Sequence, residues 1–154
     1  MREKDVQLSA LLPLIQEKLD AGQNVTFSPR GVSMQPMLKQ GRDRVTLSPV
    51  KGPLKKYDLP LYRMDSGKFI LHRIVAVGDA YICRGDNTYV DEIGIRQDQL
   101  IGVVSSFTHR GKNTSVQAPL YRLCCRVWVA VYPLRRFVRR GVGFLRRRLK
   151  RGEN

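Results

Sequence analysis

The sequence predicts a mainly β fold: an antiparallel, partly coiled sheet with an N-terminal helix in front of it and a basic helical tail behind it. Three observations carry that expectation. Six short β-type runs fall between residues 24 and 107 with turn residues between them and no helical pattern among them. One amphipathic helical period precedes them, and an arginine-rich helical period follows.

Leu8, Leu11, Leu12, Ile15 and Leu19 recur at helical spacing, and Gly22 stands where a helix would stop, so residues 5 to 21 read as a packing helix. Pro13 falls inside it, where a helix should bend. The expected strands are Asn24 to Ser28, Arg44 to Ser48, Leu59 to Met64, Lys68 to Val77, Ala80 to Arg84 and Gln99 to Phe107. Gly41, Gly52-Pro53, Ser66-Gly67, Gly78-Asp79 and Gly85-Asp86-Asn87 punctuate them as turns. From Ala118, Leu120, Leu123, Cys124, Val127, Val131 and Leu134 mark a helix that should end near Pro133. A second segment follows, with Phe137, Val138, Val142, Phe144, Leu145 and Leu149 among arginines. The chain therefore divides into a helix (1–22), a β body (23–117) and a tail (118–154).

With 154 residues, 42% apolar and 27% charged, the composition fits one folded core and excludes a disordered or collagen-like chain. The net charge of +15 is unevenly placed. Residues 118–154 hold eleven Arg and Lys against one acid, Glu153, so the body before them is close to ordinary in charge. Arginines interleaved with Val, Leu, Phe, Trp128 and Tyr132 fit an interfacial helix on an anionic membrane surface, with docking onto an acidic partner or onto the body itself as the alternative. Nucleic acid is the weaker reading, because the tail carries no base-reading module. Cys83, Cys124 and Cys125 have no paired C-x-x-C spacing and predict neither a metal site nor a disulfide framework. Residues 1–19 lack the apolar core and cleavage site of an export signal, and no run is long and apolar enough to span a bilayer. The expectation is a cytoplasmic protein, at most peripheral at the inner face of the membrane, with no metal and no cofactor.

Three stretches could carry chemistry. Gly31-Val32-Ser33-Met34-Gln35-Pro36-Met37-Leu38 follows a predicted strand and brackets a proline with two apolar methionines. Phe69-Ile70-Leu71-His72-Arg73-Ile74-Val75 sets one imidazole in an otherwise apolar strand, whereas His109 sits in a polar context. Arg84-Gly85-Asp86-Asn87 is by itself an ordinary turn.

Taken in order, G-x-S-M-x-P, H-R-I and G-D-N resemble the boxes of the type I signal peptidase superfamily, whose fold the self-cleaving repressors share. The resemblance covers residues 24 to 107, about half the chain. It implies a serine peptidase with Ser33 as nucleophile and His72 as general base, of the histidine type found in archaeal and endoplasmic-reticulum members. Bacterial members generally place a lysine there, and Lys68, four residues earlier, lies too far along a strand to substitute. An imidazole suits that role, since its unperturbed pKa lies near neutrality. The resemblance puts Asp86 in place as the acid that orients the imidazole, with Asp91 as a second candidate, and gives the oxyanion to the backbone amides of Val32 and Ser33. Many members add a hydroxyl two residues before the nucleophile, where this chain has Gly31. Substrate should bind as an added strand, with Met34, Pro36 and Met37 as pocket-wall candidates. The alternatives are a non-catalytic peptide-binding module of the same fold, and a regulator that cleaves itself, for which Asp20-Ala21-Gly22 is the candidate bond.

Overall fold

The computed structural model describes residues 3–139. Its elements in chain order are α1 (Glu3–Asp20), β1 (Val25–Phe27), β2 (Arg44–Ser48), β3 (Pro60–Arg63), β4 (Phe69–Leu71), β5 (Arg73–Val77), β6 (Tyr81–Arg84), β7 (Glu92–Ile95), β8 (Leu100–His109), β9 (Lys112–Ser115) and α2 (Pro119–Ala130). The fold is mainly β and antiparallel throughout, as the spacing of turn residues predicts.

One sheet runs in the order β1-β2-β8-β3-β4, with β9 paired to β8 outside that path, and it is open at β1 and β4. The long strand β8 is its spine, because it pairs with β2, β3 and β9 along successive stretches. A second sheet holds β5-β6-β7. The buried side chains form two cores, the second shared between the sheets through Tyr62 of β3. Val45, Leu47, Leu59, Leu61, Val104 and Phe107 form the first with Ile15 and Leu19 of α1, and Tyr62, Ile74, Tyr81, Cys83 and Ile95 form the second. Apolar residues alternate along β2 and β6 because successive strand side chains face opposite sides, so each strand feeds one core.

α1 ends where Gly22, at φ +76°, turns the chain: the Gly22 and Gln23 amides return to the carbonyls of Leu19 and Lys18, satisfying acceptors the helix leaves open. Its Leu19 lies over Gly102, where an added Cβ would come within 3.0 Å of the leucine Cδ1, so the helix rides directly on β8.

Two sequence expectations need correcting here. The predicted strand Lys68 to Val77 is two strands in different sheets, β4 and β5, and the chain leaves the ladder for a single residue between them, His72. A continuous β-branched run favours extended backbone but does not say that its partners change halfway. Strands β7 and β9 were outside the predicted set, since E-I-G-I carries a glycine at φ +84° and K-N-T-S is wholly polar.

The tail also differs from a wholly interfacial helix. α2 packs on the body through Tyr121 and Cys125, and helical backbone resumes over residues 132–139 after a turn at Val131. The expected apolar positions Val142, Phe144, Leu145 and Leu149, with the Arg146 to Arg148 run, lie outside the described residues.

Candidate active site

The loop after β1 is folded on itself and pinned from both sides. Met34 is 5% exposed and sits with Leu38 in the main core, while the Leu38 amide closes a helical turn on the Met34 carbonyl at 2.8 Å. Burying these two side chains fixes the loop and leaves Ser33 half-exposed between them and the exposed Val32. The Gly31 amide donates to Gln40 Oε1 at 2.8 Å. Behind the loop, buried Asp43 accepts from the Lys39 amide and from Arg42, and these bonds from Arg42 first, with Lys39, hold its carboxyl down at about 2.

From the other side comes the Gly85-Asp86-Asn87 turn. The Asn87 amide donates to the Ser33 carbonyl at 2.7 Å, and Asn87 Nδ2 donates to the Val32 carbonyl at 3.2 Å. Among the described residues the amides of Val32 and Ser33 donate to no protein acceptor, so both expected oxyanion donors are uncommitted.

His72 reaches the same place from the break between the sheets. A Cβ built on Gly85 would stand 2.7 Å from the Ser33 carbonyl oxygen and 2.8 Å from His72 Nε2, so the Ser33 loop and the imidazole converge on a spot that only a glycine leaves open. The imidazole is buried, and its other nitrogen, Nδ1, lies 2.8 Å from Glu92 Oε2. That carboxylate fixes the ring and selects the tautomer with Nδ1–H, which leaves the lone pair of Nε2 toward the space at Gly85. Tyr62 completes the arrangement. Its hydroxyl lies 3.4 Å from the same Glu92 oxygen, and burial, aided by the charge on Glu92, raises its pKa far beyond the ordinary value, so it stays a donor. Burial and then the Glu92 charge likewise push the neighbouring Cys83 thiol up to about 12, which leaves it an inert core group.

The two aspartates expected to orient the imidazole are both engaged elsewhere. Asp86 is bound through both oxygens by buried Arg73, at 2.8 and 2.7 Å. Neighbours along an extended chain point to opposite sides, so the acid that follows Gly85 meets the arginine beside His72 and not His72 itself. Burial alone would lower the Arg73 guanidinium, but the bonds and charge of Asp86 outweigh it and hold the group above its ordinary value. Asp91 takes a two-pronged pair with Arg84, whose hydrogen bond holds its carboxyl below the usual range. Glu92, the residue that does face the imidazole, was missed in the sequence because it opens the unrecognised strand β7, at a register position opposite Cys83.

Of the expected pocket walls, Met34 is withdrawn into the core and cannot touch substrate. Met37 packs half-buried against the same core, and Pro36 alone is exposed.

The tail closes this region from behind. Arg73 Nη1 bonds Tyr121 Oη and Cys125 Sγ, both at 3.1 Å. Trp128 Nε1 and Arg135 Nη2 both donate to the Asp86 carbonyl, at 3.1 and 2.7 Å. Neither the protein-family models nor the curated proteins contain a match to this chain.

Proposed function

We propose that this protein is a serine endopeptidase of the type I signal peptidase superfamily, with Ser33 as nucleophile and His72 as general base. The observation that carries the reading is the approach of the Ser33 backbone carbonyl and of His72 Nε2 to one spot at Gly85, with Glu92 on the far nitrogen of the imidazole. A serine hydroxyl needs a neighbouring base to attack a carbonyl, and the base needs a fixed tautomer. In this reading Ser33 Oγ bonds to the peptide carbonyl carbon as its proton passes to His72 Nε2. Val32 and Ser33 amides hold the resulting oxyanion, and the imidazolium, stabilised by Glu92, returns the proton to the leaving amine. Water then cleaves the acyl-enzyme by the reverse use of the same groups. Glu92 takes the place that the resemblance gave to Asp86 and Asp91.

An extended peptide or protein segment fits as substrate, since β1 and β4, the two open edges of the larger sheet, lead directly into the Ser33 loop and into His72. The proposed location is the cytoplasm, with at most peripheral attachment to the inner face of its membrane; among the described residues no helix is long and apolar enough to cross one. The self-cleaving alternative has less support. A protease reads extended backbone, and the Asp20-Ala21-Gly22 segment is wound into a helix end, with the Ala21 amide bonded to the Glu17 carbonyl. The non-catalytic module keeps one specific argument, the absence of a hydroxyl at Gly31.

The deciding experiment is cleavage-site mapping by mass spectrometry, with wild type and Ser33→Ala incubated with a peptide mixture. Cuts made only by wild type establish the peptidase. Equal digests with both proteins, alongside retained peptide binding, establish the peptide-holding module.

A further inference from the structure

The C-terminal helix has two long faces, and only one is used by the body. Tyr121, Cys125, Trp128, Tyr132 and Arg135 recur every three or four residues and all touch the sheet side. Helical hydrogen bonds from Val131 to the Val127 carbonyl and from Arg135 to the Val131 carbonyl carry the winding across the turn at Val131. The register therefore continues from α2 into residues 132–139. In that register Leu120, Leu123, Val127, Leu134, Phe137 and Val138 fall on one stripe away from the packed seam. All six are exposed, Phe137 at 77% and Leu120 at 73%, so the stripe is open along its length.

Charge identifies what covers it. Residues 119–139 contain five arginines and no acid, and of these Arg122 and Arg126 stand exposed clear of the seam, while Arg135, Arg136 and Arg139 lie toward the Asp86 carbonyl, Asp91 and Tyr89 of the body. A second copy of the chain would bring two cationic stripes together, so self-association is opposed by like charge. Nucleic acid would use the arginines but gains nothing from exposed leucine, valine and phenylalanine. A surface that takes apolar side chains and cationic side chains at adjacent depths is a bilayer bearing anionic headgroups.

We propose that this outer face docks the protein on an anionic membrane surface, with the apolar stripe entering the boundary between headgroups and acyl chains and the arginines lying on the headgroups. This does not depend on the chemistry of Ser33. The docked helix is bonded through its inner face to the Asp86 carbonyl, and the next residue, Asn87, is bonded to the Ser33 carbonyl, so docking holds the candidate site on the far side of the helix from the lipid, about 10 Å of helix between them.

Vesicle flotation of the full chain tests it, with phosphatidylcholine alone compared with phosphatidylcholine plus phosphatidylglycerol. The protein is expected on the mixed vesicles and not on the neutral ones. Leu123→Ser with Phe137→Ser should weaken partitioning roughly tenfold or more, because two large apolar side chains no longer leave water. Arg122→Gln with Arg126→Gln should do the same and flatten the salt dependence. All four positions are exposed, and an unchanged melting curve and Trp128 emission show that each variant is folded. Ser33→Ala should float as wild type does, whatever the outcome of the cleavage assay. The proposal is overturned by absence of binding to the mixed vesicles, by wild-type partitioning of the apolar double variant, or by tighter binding to an oligonucleotide than to the vesicles.

Discussion

His72 Nδ1 lies 2.8 Å from Glu92 Oε2, while the imidazole's other nitrogen faces the spot shared with the Ser33 loop. This one contact separates two kinds of acid in the region. Glu92 touches the imidazole; Asp86 and Asp91 hold arginines.

Glu92→Gln is expected to lower kcat roughly thousandfold with little change in melting temperature, because in the proposed mechanism the carboxylate supports an imidazolium that forms only during turnover. Tyr62→Phe, which removes a donor from the same oxygen, should lower kcat less, by roughly tenfold. Steady-state kinetics on a mapped substrate, beside thermal melts, check both.

Asp86→Asn should behave in the opposite way. It leaves the buried Arg73 charge without its two-pronged partner, which costs on the order of 3 kcal/mol of stability. Chemical denaturation measures the loss, and an undiminished midpoint would contradict the structural role assigned to this pair.

Gly85→Ala should damage the site while sparing the fold elsewhere. The added methyl would meet the Ser33 carbonyl and His72 Nε2 at under 3 Å, and one of them must move. Kinetics should show a loss of kcat of roughly a hundredfold, in keeping with small misplacements of reacting groups. A variant as active as wild type would show that the convergence has no catalytic meaning.

Acid should loosen the Ser33 loop through Asp43. Its folded pKa, about 2, is below the ordinary 3.8, so the stabilisation it contributes is complete above that ordinary value and is lost as pH falls toward 2. Asp43→Asn should therefore be less stable at neutral pH and should show a shallower loss of stability between pH 3.8 and 2. Denaturation midpoints over that range, for both proteins, check the sign.

The β class and most strand positions were legible because turn residues and apolar alternation are local signals. Arg44–Ser48 matches its predicted bounds, and Gly22 ends α1 as read. The switch of sheet at His72 was not legible, since nothing in F-I-L-H-R-I-V names the partners on either side. Ser33, His72 and the G-D-N turn, singled out in the sequence as separate stretches, lie together in the fold. Which acid would face which base was hidden, because it depends on the side toward which each extended residue points once β7 has formed. The tail's division into a packed seam and an open stripe was half-visible: its helical period is in the sequence, but only the contacts of Tyr121, Trp128 and Arg135 tell the faces apart.

The clamp on the Asp86 carbonyl is closed by Trp128 and Arg135, 42 and 49 residues further along the chain. A ribosome delivers Ser33, His72 and Glu92 well before it delivers either of them. Until residues 121 to 135 have emerged, the turn that bonds the Ser33 carbonyl lacks its rear support, and buried Arg73 lacks two of its partners. The order of synthesis thus supplies this rear support after the residues it supports, so the turn and the buried arginine acquire these partners last.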